Sequence, residues 1–475
     1  MNFETVIGIE IHCELNTKTK MFSASPNTFG KSPNTQVTPV DLAHPGIMPT
    51  VNKQAVIYAI MACSALNLEI DNELWFDRKN YFYSDLPKGY QITQDKRPIG
   101  KNGFLEVETS TGIKKIGIER IHMEEDTAKQ SHFGDYTLID YNRCGVPLIE
   151  IVSKPDMRSG EEAAKYVEKL RSILSYCGVS DCKMDEGSMR CDINISLRPY
   201  GSETFGVKTE IKNLNSINNI QRAIEYEISR QEKLLLKGLA VEQETRRFDE
   251  TSRQTVLMRK KTDAVDYKYY TESNIMPIKL SEKFINDAIS LVPELPEARY
   301  NRYINELHLN DYDAKQLIAS KKVSDYYEKC IKYLNDTKIV ANWILGDIFS
   351  YLNKNNKSID DLKLDPINLG KLLSLLKDGK ISSKQGKEVF AIIVETNEDP
   401  EVIAKNKGMV QESDEGLIME YINQVLEENP QAIATYKSGR DNILGFLVGQ
   451  VMKKSKGKAN PAITSKLLKE EIMKR

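Results

Sequence analysis

The strongest constraint on the fold is a change of texture near Leu291-Val-Pro-Glu-Leu-Pro296. Before this segment, short apolar runs alternate with Gly, Pro and Asn, a pattern typical of β-rich structure. After it, long segments rich in Leu, Ile, Lys and Glu follow helical spacing, with a weaker break at the turn that ends at Pro400. Because 475 residues suffice for about three domains, we predict an α+β protein: an antiparallel β-rich domain over residues 1–292, a helical domain over 293–407 and a small helical tail over 408–475.

Two helices are predicted inside the β-rich part. Ser159 and Glu162 form a capping box, in which the hydroxyl and the carboxylate satisfy backbone N–H groups at the start of a helix. Apolar residues then recur every three or four positions until Gly178, which can adopt the left-handed conformation that ends a helix. The second run, over residues 216–236, carries isoleucines on one stripe.

Composition and missing motifs exclude several classes of protein. The 66 basic and 68 acidic residues leave a net charge of −2, which argues against wholesale coating of nucleic acid. No stretch approaches the ~18 consecutive apolar residues of a membrane span, and the first residues do not resemble a secretory signal. The seven cysteines form no C-x-x-C pair, so we expect a soluble cytoplasmic protein with reduced thiols. G-x-G-x-x-G is missing, and Gly30-Lys-Ser32 lacks the first glycine of a phosphate loop because position 25 is Ser, which argues against a Rossmann or P-loop nucleotide site. H-E-x-x-H and G-x-S-x-G are missing as well.

Charged side chains recur on one face of several predicted strands. Successive strand side chains point to opposite faces, so Glu10, His12 and Glu14 oppose an apolar row in the first strand. Glu150 stands alone in an otherwise apolar run. Polar residues of the same kind mark three further segments, namely Arg190 with Asp192, Lys208 with Glu210 and Lys212, and Glu124 with Glu125 and Asp126.

Two interpretations of this polar face remain open. An antiparallel sheet with one solvated face produces such alternation for solubility alone. However, a carboxylate inside a buried strand is costly unless a cation compensates its charge. Carboxylates with one imidazole suit hard divalent ions such as Mg²⁺ or Mn²⁺, so the second interpretation is a metal site.

The end of the chain is basic. Residues 453–475 contain eight Lys or Arg residues against two Glu residues. A solvated helix would account for this charge, and so would a tail that contacts phosphates. For the second interpretation the candidate residues are Lys453, Lys454, Lys456 and Lys458.

Several long blocks of sequence resemble the B-subunit (GatB) family of the tRNA-dependent amidotransferases. They occur in the family's order along essentially the whole chain. The blocks are Ile7-Gly-Ile-Glu-Ile-His12, Phe76-Asp-Arg-Lys-Asn-Tyr-Phe-Tyr83, Leu86-Pro-Lys-Gly-Tyr-Gln-Ile92, His122-Met-Glu-Glu-Asp126, Gly145-Val-Pro-Leu-Ile-Glu-Ile-Val-Ser153, Glu186-Gly-Ser-Met-Arg-Cys-Asp192, Glu210-Ile-Lys-Asn-Leu-Asn-Ser216, Gln243-Glu-Thr-Arg246, Gly445-Phe-Leu-Val-Gly-Gln450 and Lys456-Gly-Lys-Ala-Asn-Pro461.

This chain departs from the family at a few positions. Ser84 stands where the family usually has Pro, Thr127 and Ala128 where it has Ala-Gly, and Tyr270-Thr-Glu-Ser-Asn274 where it has Phe-Pro-Glu-Pro-Asp. We expect all of these positions, including Thr271, to lie in loops. None of them replaces a carboxylate of the candidate site.

The resemblance implies a cradle domain, a helical domain and a tail similar to the YqeY family. It also implies an ATP-dependent carbon–nitrogen ligase with glutamine as amido donor. Such a protein binds Glu-tRNA(Gln) or Asp-tRNA(Asn), phosphorylates the side-chain carboxylate with ATP and lets ammonia attack the acyl phosphate. The implied heterotrimer has no membrane association and contains two partners: the A subunit, which is a glutaminase (amidase), and the small C subunit.

Carried over residue by residue, the resemblance assigns a metal ion, Mg²⁺ or Mn²⁺, to His12, Glu125 and Glu150. Around a second ion position it assigns Glu10, Glu124, Asp192 and Glu210. We predict that Glu10, His12, Glu125, Glu150 and Glu210 are catalytic. Four cations are candidates for holding phosphate or lining the ammonia route, although each could be an ordinary surface charge: Lys79, Lys88, Arg190 and Lys208.

Two other functions fit parts of the sequence. A non-catalytic tRNA-binding scaffold would use the acidic face for docking only, and an ATPase assay with Mg²⁺ and mischarged tRNA separates it from the enzyme. A free-standing amide ligase for a small amino acid would explain the carboxylates but would leave the basic tail without a role. The sequence does not distinguish Glu-tRNA(Gln) from Asp-tRNA(Asn) as the substrate.

Overall fold

The structure is a computed structural model that describes residues 3–260, 266–409, 415–437, 442–455 and 459–475. It divides into two compact units, Met1–Pro296 and Glu297–Arg475. The predicted α+β class is confirmed, because strands dominate the first unit and helices form the second. The division into three domains stays a prediction.

The first unit contains the strands and four of the helices. The strands are β1 (Phe3–Glu14), β2 (Glu69–Ile70), β3 (Glu73–Leu74), β4 (Asp77–Asn80), β5 (Tyr90–Thr93), β6 (Gly100–Thr109), β7 (Gly112–Glu125), β8 (Lys129–Phe133), β9 (Tyr136–Asp140), β10 (Pro147–Ser153), β11 (Met189–Pro199), β12 (Thr209–Lys212), β13 (Glu244–Asp249), β14 (Gln254–Lys260), β15 (Tyr270–Thr271) and β16 (Ile278–Lys279). The helices are α1 (Lys53–Ala65), α2 (Gly160–Tyr176), α3 (Ile217–Leu236) and α4 (Glu282–Ile289).

One large sheet organises this unit. Its strand order is β14-β13-β12-β11-β1-β10-β7-β6-β2, with β1 near the centre. The pairs are antiparallel as predicted, except that β12 and β13 run parallel. Parallel neighbours need a crossover connection, and α3 supplies it because it lies between these two strands in the chain.

The apolar face of the sheet is covered by helices. Ile7, Ile9 and Ile11 of β1 are at most 1% exposed, and they share one buried core with residues of α1, α2 and α3. The polar face of the same strands is therefore the one left for function.

Both helices predicted in this unit form, with one difference at the start of α2. Ser159 Oγ accepts a hydrogen bond from Glu162 N at 3.2 Å, as the capping box requires. The Glu162 carboxylate, however, accepts from Arg158 N at 2.7 Å, one residue earlier than the predicted Ser159. Gly178 has φ +68°, which agrees with its predicted role at the helix end.

The second unit is helical among its described residues. Its helices are α5 (Pro296–Asn305), α6 (Asp311–Ile318), α7 (Lys321–Tyr333), α8 (Thr337–Trp343), a π-helical turn (Ile344–Ile348), α9 (Phe349–Lys354), a 3₁₀ turn (Ile359–Asp361), α10 (Pro366–Lys377), α11 (Ser383–Thr396), α12 (Pro400–Asn406), α13 (Glu415–Glu428), α14 (Pro430–Lys437), α15 (Asn442–Lys454) and α16 (Pro461–Lys474). Two separate apolar clusters form its cores, one from helices α5 to α12 and the other from α13 to α16. Within the described part of the chain, no helix is long and apolar enough to cross a membrane.

Candidate functional site

The polar face of the large sheet brings residues from five strands together. Antiparallel register sets Glu10 opposite Asp192, His12 opposite both Glu150 and Arg190, and Glu150 opposite His122. Directly opposed side chains on one face lie about 5 Å apart. The alternation read from the sequence therefore translates into one continuous charged surface across β7, β10, β1, β11 and β12.

His12, Glu124 and Glu150 form the tightest group on this surface. His12 Nε2 lies 3.2 Å from Glu150 Oε2 and 3.5 Å from Glu124 Oε1. One potential ligand atom from each of the three residues lies within 4.8 Å of the other two. Both carboxylates belong to buried residues, whereas the His12 side chain is 23% exposed.

His122 is a second imidazole at this group, and the sequence analysis did not select it. Its Nε2 lies 3.1 Å from Glu150 Oε2 and 3.7 Å from Glu124 Oε2. Its Nδ1 is buried with no hydrogen-bond partner in the described structure. Strand parity would have found it, because His122 precedes Glu124 by two positions and therefore shares its face.

The close packing of acids and imidazoles shifts several pKa values. Burial disfavours the charged form of His122, but the charges of Glu150 and Glu124 and their hydrogen bonds outweigh burial and raise its pKa to about 9. Burial opposes the charged form of His12 as well, and the same two carboxylates raise its pKa. Burial also disfavours the Glu150 carboxylate, but the two histidines hold its pKa well below the ordinary value.

Glu125, predicted as a ligand of the first ion, lies in a different environment. Its carboxylate forms an ion pair with Lys88 and accepts a hydrogen bond from Ile92 N at 3.0 Å. Glu125 lies opposite Pro147 at the end of β7, one residue out of phase with Glu124. In the described structure Glu124, rather than Glu125, therefore joins His12 and Glu150, and the metal role of Glu125 stays a prediction.

Glu10, Asp192 and Glu210 form a second acidic group on the same face. Lys212 Nζ forms an ion pair with Asp192 and lies 3.3 Å from Glu210 Oε1. Glu10 accepts a hydrogen bond from Asn194 Nδ2 at 2.9 Å. Burial, followed by the charges of Glu150 and Asp192, raises the pKa of Glu10, so Glu10 is influenced by both acidic groups.

Three of the predicted cations occupy different environments. Arg190 Nη2 lies 2.7 Å from Asp126 Oδ2. Burial, and then the charge of Asp126, raises the pKa of the neighbouring Glu14 to about 7. The Lys79 Nζ lies 4.8 Å from the ring centroid of Tyr267. Lys208 is exposed and precedes β12.

A cavity of about 710 Å³ opens onto this face. His12, Glu124, Asp192 and Arg190 line it together with Lys79. Its walls continue into the loops at residues 184–187 and 213–215. The site therefore combines acids that suit a cation with basic side chains that suit an anion.

The four tail lysines are only partly described. Lys453 is exposed at the end of α15, and Lys454 forms an ion pair with Glu428 at 2.5 Å. Lys456 and Lys458 lie outside the described residues.

One of the departures from the family pattern, Thr127, lines the cavity. Thr127 Oγ1 donates to Asp85 Oδ2 at 3.0 Å, and the exposed Ser84 Oγ accepts from Gln130 at 3.0 Å. Ala128 is buried, and its N–H donates to Asp85 O at 2.9 Å. The loop prediction is wrong for Tyr270 and Thr271, which form β15 and lie opposite Arg78 and Asp77.

Comparisons with known proteins identify the family. Residues 5–286 match the model of the GatB/GatE catalytic domain, and residues 325–472 match the GatB domain model. The chain is 53% identical to the B subunit of the aspartyl/glutamyl-tRNA(Asn/Gln) amidotransferase of Geobacillus thermodenitrificans and 53% identical to that of Geobacillus kaustophilus. It is 52% identical to that of Lysinibacillus sphaericus, and each of these matches covers 100% of both chains. The chain belongs to the GatB family of amidotransferase B subunits, which confirms the resemblance found in the sequence.

Proposed function

We propose that this chain is the B subunit of a tRNA-dependent amidotransferase. It binds Glu-tRNA(Gln) or Asp-tRNA(Asn), uses ATP to convert the side-chain carboxylate into an acyl phosphate, and amidates that carbon with ammonia. The full-length identity to curated B subunits supports the reaction class. The convergence of His12, Glu124 and Glu150, beside a cavity that His12 and Glu124 line together with basic side chains, is the observation that carries the mechanism.

The chemistry explains why ATP is needed. A carboxylate is a poor electrophile, because its oxygen is a poor leaving group. Transfer of the γ-phosphoryl group to that oxygen provides a leaving group, after which ammonia adds to the carbon and phosphate departs. Phosphoryl transfer depends mainly on alignment and on neutralisation of phosphate charge, so the reaction needs no nucleophilic side chain from the protein.

The residues present fit a divalent cation. Two buried carboxylates and one imidazole converge there, and the oxygen-rich donor set suits Mg²⁺ or Mn²⁺. When bound, such an ion would neutralise charge on the phosphates. Glu124, Glu150 and His12 would hold the ion.

The cations of the cavity have a complementary role. We infer that Lys79 and Arg190 orient the phosphates of ATP, because both line the same cavity as His12. Arg190 already pairs with Asp126, which fixes the position of its guanidinium group. Lys88 pairs with Glu125, and we retain the prediction that it holds phosphate or lines the ammonia route.

Ammonia requires a partner. The sequence contains no Ser-rich amidase signature and no Cys-His glutaminase pair. We therefore propose that the glutaminase (A) subunit supplies the ammonia and that a small third protein, the C subunit, completes the heterotrimer. The purified chain alone is expected to hydrolyse no glutamine, and robust glutaminase activity of the isolated chain would contradict the partner assignment.

A reconstituted assay tests the whole proposal. The three subunits are combined with ATP, Mg²⁺, glutamine and either Glu-tRNA(Gln) or Asp-tRNA(Asn), and the amidated aminoacyl-tRNA is quantified. We expect product with at least one of the two substrates, and ATP hydrolysis that depends on both Mg²⁺ and the mischarged tRNA. tRNA binding without any ATP turnover would identify a scaffold instead.

The tail is proposed to contact the tRNA backbone. Each Lys that neutralises a phosphate releases condensed counterions, and such contacts position the tRNA without reading its sequence. Lys453→Ala is expected to reduce the salt slope of log K by about 1 and to weaken all tRNAs alike. Lys315→Ala, at an exposed Lys of α6, is the matched control.

Removal of residues 408–475 is expected to weaken tRNA binding strongly while assembly with the partner subunits persists. Normal tRNA binding by the truncated chain would show that the tail has another role.

A further inference from the structure

Two cysteines meet in the buried apolar core of the first unit, although 169 positions separate them in sequence. The sulfur atoms of Cys13 and Cys182 lie 3.6 Å apart. Both residues are buried and both thiols are free. Nothing in the proposed amidation uses either sulfur.

The two thiols belong to elements of different rigidity. Cys13 lies in the central strand β1, paired on one side with Met189 of β11 and on the other with Ile149 of β10. Cys182 lies in the loop between α2 and β11, with φ +50°. A disulfide requires an S–S distance of about 2.05 Å, so the sulfurs must approach each other by about 1.5 Å. The loop can supply this displacement, whereas the strand is held by both neighbours.

Cys182 lies at the wall of a cavity. This residue lines a second cavity, of about 440 Å³, together with Arg171, Ser175 and Lys183. Cys182 is 1% exposed and Cys13 is 0% exposed, but only Cys182 lines this cavity, so a small oxidant that enters the cavity meets Cys182 rather than Cys13.

The surroundings of Cys182 favour the thiolate. The hydrogen bond from Cys13 lowers the pKa of Cys182 and burial raises it, but hydrogen bonds from Ser180 and Ser175 and the charge of Arg171 also lower it, and the net shift is downward. A thiolate is the reactive form of cysteine. Redox-sensitive cysteines are commonly found beside a second cysteine that resolves the first oxidation product.

We propose that Cys182 and Cys13 form a peroxide-reactive dithiol, in which Cys182 is oxidised first and Cys13 resolves it to a disulfide. The Cys182 sulfur attacks one oxygen of hydrogen peroxide, the O–O bond breaks, and a sulfenic acid and one water form. The Cys13 sulfur then attacks the Cys182 sulfur and expels the second water. Two thiols lose two electrons and two protons in total, and the peroxide is reduced to two waters.

The bond would join two parts of the proposed active site. Cys13 directly follows His12, and Cys182 precedes the loop at residues 184–187 that lines the larger cavity. Oxidation therefore connects the strand that carries His12 to a wall of that cavity.

Peptide mapping tests the assignment without reference to the amidation reaction. The reduced full-length chain is treated with hydrogen peroxide, alkylated, and digested without reductant by trypsin and by a protease that cleaves before Asp. Cleavage before Asp181 separates Cys177 from Cys182, which would otherwise share one tryptic peptide. We expect a cross-linked pair of peptides containing Cys13 and Cys182 that dithiothreitol separates.

Variants sharpen the result. Cys182→Ser is expected to lose the cross-link and to leave Cys13 unoxidised, whereas Cys63→Ala, at another buried cysteine, is expected to retain it. A Cys177–Cys182 link in the wild-type chain would overturn the role of Cys13. Absence of any cross-link, or oxidation spread evenly over the cysteines, would overturn the proposal as a whole. Both outcomes are measured on the wild-type chain and therefore do not depend on whether a variant folds.

Discussion

The two acidic groups on the polar face differ in the basic side chains that neutralise their carboxylates. In the first group, the charged partners that the described residues give Glu124 and Glu150 are imidazoles, namely those of His12 and His122. In the second group, Asp192 and Glu210 have the ammonium of Lys212 between them. Neighbouring positions of one sheet thus compensate negative charge in two different ways.

This difference indicates which group needs an ion from solution. A Lys keeps its charge at neutral pH. Burial lowers the pKa of Lys212, but the charges of Asp192 and Glu210 and their hydrogen bonds outweigh burial and raise this pKa above its ordinary value. Despite burial, the carboxylates raise the pKa of His12 and His122 as well, but an imidazole still releases its proton more readily than an ammonium does, and the neutral ring is then a metal ligand. We infer that the first group exchanges protons for a metal ion, whereas an ion at the second group would have to displace Lys212. The second ion position implied by the family resemblance is therefore the less accessible one.

The largest effect is expected from Glu150→Gln, which keeps the shape of the side chain and removes its charge. Loss of a ligand should weaken Mn²⁺ binding by roughly 100-fold or more, since even second-shell changes cost 10–100-fold. ATP turnover should fall to background while tRNA binding persists. Mn²⁺ titration followed by electron paramagnetic resonance measures the first effect, and phosphate release measures the second.

Glu119→Gln is the matched control, because Glu119 lies in the same region of β7 but its side chain is 54% exposed. It should bind Mn²⁺ as the wild-type chain does. Unchanged Mn²⁺ affinity and ATP turnover in Glu150→Gln would make the charged surface an ordinary solvated sheet face.

Lys212→Met tests the second group. The substitution keeps the length of the side chain and removes the internal cation, so Asp192 and Glu210 should then attract an ion from solution. We expect the number of Mn²⁺ ions bound per chain to rise from one to two. Lys208→Met, at an exposed Lys of the same segment, should leave the number at one. A wild-type chain that already binds two ions, or a variant that still binds one, would contradict the distinction between the groups.

Much of the site could be predicted from local pattern. Strand alternation placed Glu10, His12 and Asp192 on the polar faces of their strands because the side-chain period of a strand is two, whereas Glu150 was found as the single acid of an apolar run. That pattern could not decide whether Glu124 or Glu125 joins His12 and Glu150, because adjacent residues at a strand end can both turn toward polar surroundings. The partner of Glu125 is Lys88, 37 positions away, and only tertiary structure brings the two together.

The role of Lys212 could not be predicted from the sequence either. Its strand parity was evident, but the distances to Asp192 and Glu210 depend on how β11 and β12 are paired. Similarly, Cys13 and Cys182 meet because the loop after α2 folds back onto β1, and their spacing in sequence predicts no contact. Patterns of period two or 3.6 predict faces of elements, whereas contacts between distant segments depend on register and loop path.

The smallest effect concerns the stability of the metal-free chain. The pKa of His122 is raised to about 9, above the unfolded value of about 6.5, so the folded chain binds more protons between these pH values. Stability from this group is therefore fully present below the unfolded pKa and is lost as pH rises through the folded pKa. Between pH 7 and pH 9 we expect a loss of about 2 kcal/mol in the free energy of unfolding, measured by urea denaturation.

His122→Gln should flatten this pH dependence of stability, whereas His132→Gln, on the exposed strand β8, should not. Saturating Mn²⁺ should also flatten it, because the ion then replaces the protons as the counter-charge of Glu124 and Glu150. A pH dependence that survives both His122→Gln and Mn²⁺ would mean that the first group does not exchange protons for metal, and the contrast with the Lys212 group would then fail.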